Sequence, residues 1–169
     1  MTDQLPYVAT DVQRRVGLFV SGDQTDIAAS DDQRLIYRSF KPPPGLNRDP
    51  RAVPRNSVRL EFSTLAPHAD PCELRFQVES QVEVENITQR IQLFDYPANQ
   101  FVEVDARPAT TSDSVAEILL RDSPERFFEP STGLIKAAVT WKNESGPAPS
   151  RWEIRVDHVQ WIDLSTNRQ

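Results

Sequence analysis

The stretch RWEIRVDHVQWIDL, residues 151–164, decides the fold class of this chain. Trp152, Ile154 and Val156 alternate with Glu153, Arg155 and Asp157, the period of a strand with one face buried. Continued strictly, that period turns His158, Gln160 and Ile162 inward and leaves Val159 and Trp161 in water. Burying a large apolar side chain is worth roughly 2 kcal/mol, so the strict register wastes two of them. One extra residue at or beside Asp157-His158 repairs the phase, and Trp152, Ile154, Val156, Val159 and Trp161 then share one face. An added residue of this kind is a β-bulge, which bends the strand and re-aims a side chain. The spacing therefore predicts a bulge here, which either bends the strand at the rim or points Asp157 toward a loop-lined site.

The same period recurs upstream. SVRLEFS (57–63) aligns Val58, Leu60 and Phe62, and CELRFQV (72–78) aligns Cys72, Leu74, Phe76 and Val78. Ile91 with Leu93, Val102 with Val104, and Ile135, Ala137, Val139 and Trp141 repeat it. Short alternating runs separated by turn residues predict an antiparallel β-sandwich. KPPPGLNRDPRAVP (41–54) holds five prolines and reads as a surface connection. DSPERFFEPSTG (122–133) reads as a helical turn capped by Ser123 with Pro124 first inside it. The polar ends carry no period, so a single domain over 10–165 is expected, with 1–9 and 166–169 as flexible ends.

Composition narrows the function. The 169 residues carry a net charge of −6 and a pI near 5.0, without the basic footprint that nucleic acid or an anionic membrane requires. Cys72 is the one cysteine, which excludes an internal disulfide; its place in an apolar run predicts a small core residue. There is no leader-type segment and no run of 18 apolar residues, so the expected setting is cytoplasmic, or secreted or cell-surface if the chain is a fragment. Two histidines, His68 and His158, and one cysteine lack the spacing of a zinc site. Neither histidine has a Ser or Cys partner in a strand-turn-helix elbow, and no carboxylate pair stands out for glycoside hydrolysis. The chain reads as a non-enzyme.

ITQRIQLFDYPANQFVEVDAR (87–107), PERFFEPSTGLIKAAVTW (124–141), VDHVQW (156–161) and GDQTDIAASDDQRL (22–35) together resemble a β-sandwich domain of secreted and cell-surface bacterial proteins. That domain is similar to galactose-binding-like jelly rolls, with about eight strands. It carries no assigned activity, so the resemblance implies a fold and a context. The hairpin departs from the family's tryptophans, with Tyr96 and Phe101 at the aromatic positions. In sugar-binding jelly rolls a structural calcium often joins the first and last strands. The resemblance thus implies Asp31, Asp32 and Asp157 as metal ligands, calcium being the one candidate cofactor.

Sugar recognition needs an aromatic platform beside hydrogen-bonding groups. Trp141, Trp152 and Trp161 are spent on the core by the phase count, leaving Tyr37, Tyr96 and Phe101 for the surface. Tyr96, Phe101 and Arg107 are the candidate ligand-binding residues. The expected function is a non-catalytic module that binds carbohydrate or another surface ligand. The alternative is a spacer or assembly domain whose partner is a protein, with the oligomeric state open.

Overall fold

The computed structural model describes residues 2–39, 56–66, 71–144 and 151–166. The proline-rich segment 41–54 and His68 lie outside the described residues. Eleven strands appear: β1 Thr2–Val8, β2 Asp11–Val16, β3 Leu18–Ser21, β4 Leu35–Arg38, β5 Ser57–Leu65, β6 Glu73–Val82, β7 Ile87–Asp95, β8 Gln100–Pro108, β9 Ser114–Leu120, β10 Leu134–Asn143 and β11 Glu153–Thr166. One sheet runs β3-β4-β11-β6-β9, with β1 also on β11; the other runs β2-β5-β10-β7-β8. All pairings are antiparallel, and the two sheets form a sandwich around one core. Eleven strands exceed the eight or so of the sequence reading, because short strands such as the four-residue β3 and β4 carry too little alternation to be seen.

The opening stretch is the last strand, and its register breaks where the phase count places the break. Val156 lies opposite Ser80 and His158 opposite Glu79, so Asp157 is the bulged residue. Trp152, Ile154, Val156, Val159 and Trp161 are each at most 1% exposed, and Trp141 is fully buried on the opposite sheet. Trp161 packs on Phe76 at a ring separation of 5.2 Å. Before the bulge β11 pairs with β4, and after it with β1, while β6 runs along its other side.

Four expectations are corrected. Residues 2–8 are not a flexible end: they pair with β11 from Thr2↔Thr166 to Val8↔Gln160. An edge strand needs only one ladder and tolerates Pro6, so a polar sequence can hold it. Cys72 is exposed, because β6 starts one residue later; its Sγ donates to the Leu164 carbonyl at 2.7 Å. Tyr37 is core rather than surface, since β4 turns Leu35 and Tyr37 inward together. The helical turn exists as a 3-10 turn, Pro124–Phe127, but Ser123 stands at φ +52° and its side chain caps nothing.

Candidate functional site

The bulge sets up the first site. It points Asp157 away from the alternating pattern, and the carboxylate is buried, with Oδ1 lacking any hydrogen-bond partner. Asp32, in the loop before β4, and Asp113, just ahead of β9, bring their carboxylates to it; one oxygen from each of the three lies within 4.8 Å of the others. Arg34 crosses the group, with Nη2 at 2.7 Å from Asp113 and 3.0 Å from Asp32 and Nη1 donating to Gln81 at 2.9 Å. Burial first, then the negative charges of Glu79 and Asp113, push the Asp157 carboxyl up from its ordinary range; Asp32 adds to this and Arg34 opposes it.

The loop geometry that delivers Asp32 and Arg34 is local. Asp23 caps the 3-10 turn Gln24–Ile27 through Thr25 N at 2.7 Å, and Asp26 returns the bond to Asp23 N. Gly22, at φ +93°, lets the chain pass so close to Arg34 that a Cβ there would stand 2.5 Å from the Arg34 carbonyl oxygen. Asp31 is not in the cluster: its Oδ1 accepts from Gln33 N at 3.1 Å. Asp32 and Asp157 are thus brought together as the resemblance implies. Asp113 was missed, because nothing in its local sequence distinguishes it from any loop aspartate.

Three carboxylate oxygens at this spacing could supply part of the shell of a hard cation such as calcium, which takes about six to eight oxygen ligands at about 2.3–2.6 Å. The buried, unpartnered Asp157 oxygen is the atom such an ion would satisfy.

The second site is the outer face of the sheet β2-β5-β10-β7-β8. Phe94 and Phe101 are a direct cross-strand pair, edge to face at 5.1 Å, and Tyr96 packs on Phe94 at 4.9 Å. Lys136 Nζ lies 5.1 Å over Phe94, and the Arg59 guanidinium 5.3 Å over Phe101. Arg59 reaches across β10, donating to Gln92 at 2.7 Å and Thr140 at 3.2 Å. Beneath it Ala138, between Glu61 and Gln92 in register, keeps the centre of the face low. The face also exposes Leu65, opposite Leu134, and holds a hollow of about 70 Å³ bordered by Asp11, Gln13, Arg15, Glu61 and Lys136.

The hairpin is braced from behind. Buried Asp95 accepts a hydrogen bond from Arg126 and another from Ala98 N, and Arg126 in turn lends its carbonyl to Tyr96 N. The Arg126 bond holds the Asp95 carboxyl below its ordinary range. The Tyr96 hydroxyl is buried without a partner, and burial, with the nearby Glu129 charge, pushes it up to about 12. Phe101 therefore faces the outer surface, whereas the tip of Tyr96 turns inward. Arg107 lies near the opposite end of β8, about 20 Å along the strand from Phe101. It pairs with Asp105 at 2.6 Å and reaches the Glu117 carbonyl of the other sheet.

A third feature is a cleft of about 280 Å³ on the outer face of the first sheet, lined by Ser30, Gln77, Glu79, Val115, His158 and Gln160. Ser30 and His158 share this cleft, yet His158 Nε2 is buried and hydrogen-bonds to nothing, so no Ser-His relay is formed.

No family model matches the chain, and no curated protein matches it. Solved structures do. TmCBM61, in complex with beta-1,4-galactotriose, is 12% identical over 92% of this chain and 88% of its own, at a TM-score of 0.48. CBM29_1, a family 29 carbohydrate binding module from Piromyces equi, is 9% identical over 98% and 95%, at 0.49. A module specific for non-crystalline cellulose, CBM28, is 16% identical over 79% and 76%, at 0.46. These are distant likenesses of shape, and the sandwich is read from this chain's own two sheets.

Proposed function

We propose that the chain is a non-catalytic β-sandwich binding module that takes a carbohydrate on the outer face of β2-β5-β10-β7-β8. The observation that carries this is the Phe94–Phe101 pair on a sheet face that also exposes Leu65, with Arg59 and Lys136 lying over the two rings and Gln92 and Glu103 beside them. Sugars present an apolar ring face and a rim of hydroxyls, and this surface offers a partner to each. Tyr96 supports the pair from the hairpin. Arg107, at the far end of β8, turns toward the other sheet and takes no part in this face. We propose that the protein works outside the cell or at its surface, where polysaccharides are available to such a face.

A calcium ion among Asp32, Asp113 and Asp157 belongs to the same reading. It would join the loop before β4 and the segment before β9 to the bulge of β11, stabilising the sandwich away from the ligand face.

The test is a melting series with soluble polysaccharides, calcium and EDTA, followed by calorimetry. A ligand that binds only the folded state raises the melting temperature. One saccharide should stabilise the wild type, and Phe101→Ala should lose that response while still melting cooperatively. A flat response to every saccharide would end the carbohydrate reading, and identical melts in calcium and EDTA would end the metal reading.

One observation favours the alternative, an assembly domain: the edge strand β3 exposes Leu18, Phe19 and Val20 in succession. A concentration-dependent mass in light scattering, lost in Phe19→Lys, would support it.

A further inference from the structure

The acidic triad already holds a cation, supplied by the chain itself. A guanidinium stays protonated under all ordinary conditions, and Arg34 gives its charge to two of the three carboxylates, Asp32 and Asp113. It does not complete the site. Asp157 Oδ1 and Arg34 Nε are both buried without a hydrogen-bond partner. The geometry explains why. A guanidinium is a planar fork with its donors in fixed directions, and this one spends them on Asp32, Asp113 and Gln81. A divalent ion has no such plane. Oxygens within 4.8 Å of one another lie within a few tenths of an ångström of sharing one ion whose bonds are about 2.4 Å long. The same two carboxylates are therefore wanted by two cations, of which only the ion can also reach Asp157.

We propose that Arg34 is an internal competitor for the metal site: an ion entering the triad displaces the guanidinium from Asp32 and Asp113, so Arg34 sets how tightly the ion binds. This rests on the metal reading above. Three carboxylates and one guanidinium leave a net charge of −2 on the cluster, enough to draw a divalent ion. The Arg34 side chain is 22% exposed, which gives the displaced guanidinium a short route to water, and its bond to Gln81 can persist as a pivot. The triad thus changes cations rather than filling from empty, and its affinity is the difference between two favourable states.

The experiment is calcium titration of the EDTA-treated protein by calorimetry, checked by terbium luminescence, on wild type, Arg34→Gln, Arg34→Lys, Asp31→Ala and Asp157→Asn. Melts in EDTA establish which variants fold. Arg34→Gln removes the charge and the fork, and should bind calcium at least about tenfold tighter than wild type, a difference of about 1.4 kcal/mol. Arg34→Lys keeps the charge without the fork and should fall between them. Asp31→Ala should match wild type, and Asp157→Asn should lose the ion. In nitrogen-15 spectra the Arg34 Nε resonance should move as calcium saturates the wild type. Calcium that binds only to Arg34→Gln also supports the proposal, as the limit in which the guanidinium wins. Wild type that binds calcium no more weakly than Arg34→Gln and Arg34→Lys overturns the competition and leaves the metal reading standing. No binding by any folded variant overturns the metal reading, and the competition with it.

Discussion

Deleting Asp157 tests the phase of the last strand and the role of its bulge together. In the β6 ladder Asp157 has no residue opposite it; Val156 and His158 face consecutive positions, Ser80 and Glu79. Without Asp157 the sequence alternates strictly, and Trp152, Ile154, Val156, Val159 and Trp161 all remain inward. On the strand's other side the bulge falls between the stretches paired with β4 and with β1. Closing it brings the ends of those strands about 3.3 Å nearer each other. If the phase survives, the cost is a local loss of twist, offset by removal of a buried, unpartnered acceptor worth about 1–3 kcal/mol. The net change in calcium-free buffer should stay within about 2 kcal/mol. If the phase were lost, Trp161 and Val159 would leave the core from full burial. At about 25 cal/mol per Å² and roughly 180 Å² for the tryptophan, with about 1.5 kcal/mol for the valine, that costs about 6 kcal/mol. The assay is urea unfolding in EDTA followed by tryptophan fluorescence, where an unchanged slope reports an unchanged buried surface. A loss above about 5 kcal/mol, or red-shifted emission readily quenched by acrylamide, refutes the reasoning. The matched control adds one alanine between His158 and Val159, which turns Trp161 outward. It should lose those 6 kcal/mol or so, comparable to the whole stability of a small domain.

Other outcomes follow from the same geometry. Gly22→Ala places a Cβ against the Arg34 carbonyl at φ +93° and should cost about 1–3 kcal/mol in urea unfolding; wild-type stability would show that the loop yields freely. Glu129 accepts from Thr132 and Ser131 hydroxyls and from Thr132 N, which lowers its carboxyl from 4.5 to about 2. Its folded value lies below its unfolded one, so its contribution is complete above about pH 4.5 and is lost as pH falls toward 2; Glu129→Gln should flatten that part of the stability profile. Asp157 has the opposite sign. Its raised folded value makes the charged form a cost at neutral pH that disappears as acid protonates it, so without divalent ions Asp157→Asn should be more stable than wild type at pH 7, and the gap should close on acidification. A gap that widens in acid would contradict the assigned burial and charge repulsion.

The aromatic hairpin shows how a sequence can name residues without assembling them. Pro97 to Gln100, between Tyr96 and Phe101, close the hairpin in a tight turn, with Asn99 at φ +51°. Its placement of Phe101 across from Phe94 was not legible, because Phe94 sits in a run read only for Ile91 and Leu93. Arg59 and Lys136, which cover these rings, come from strands 35 or more residues away in sequence. Arg107, a candidate ligand-binding residue alongside Tyr96 and Phe101, lies apart from them, since six residues of extended chain carry it to the other end of β8.

The sequence by itself determined the alternation: which residues face inward on each long strand, that period two makes this a β-sandwich, and that one residue near Asp157 had to be surplus. These are properties of a strand and its immediate neighbours, and a repeat of two residues expresses them without reference to the rest of the chain. Only the tertiary structure decided what the surplus residue meets. Asp32, Asp113 and Asp157 are separated by 81 and 44 residues, and Arg34 joins them from a loop held in place by the close approach at Gly22. Nothing in the spacing of such residues encodes their contact, because it arises from strand order and from the two sheets closing on one core.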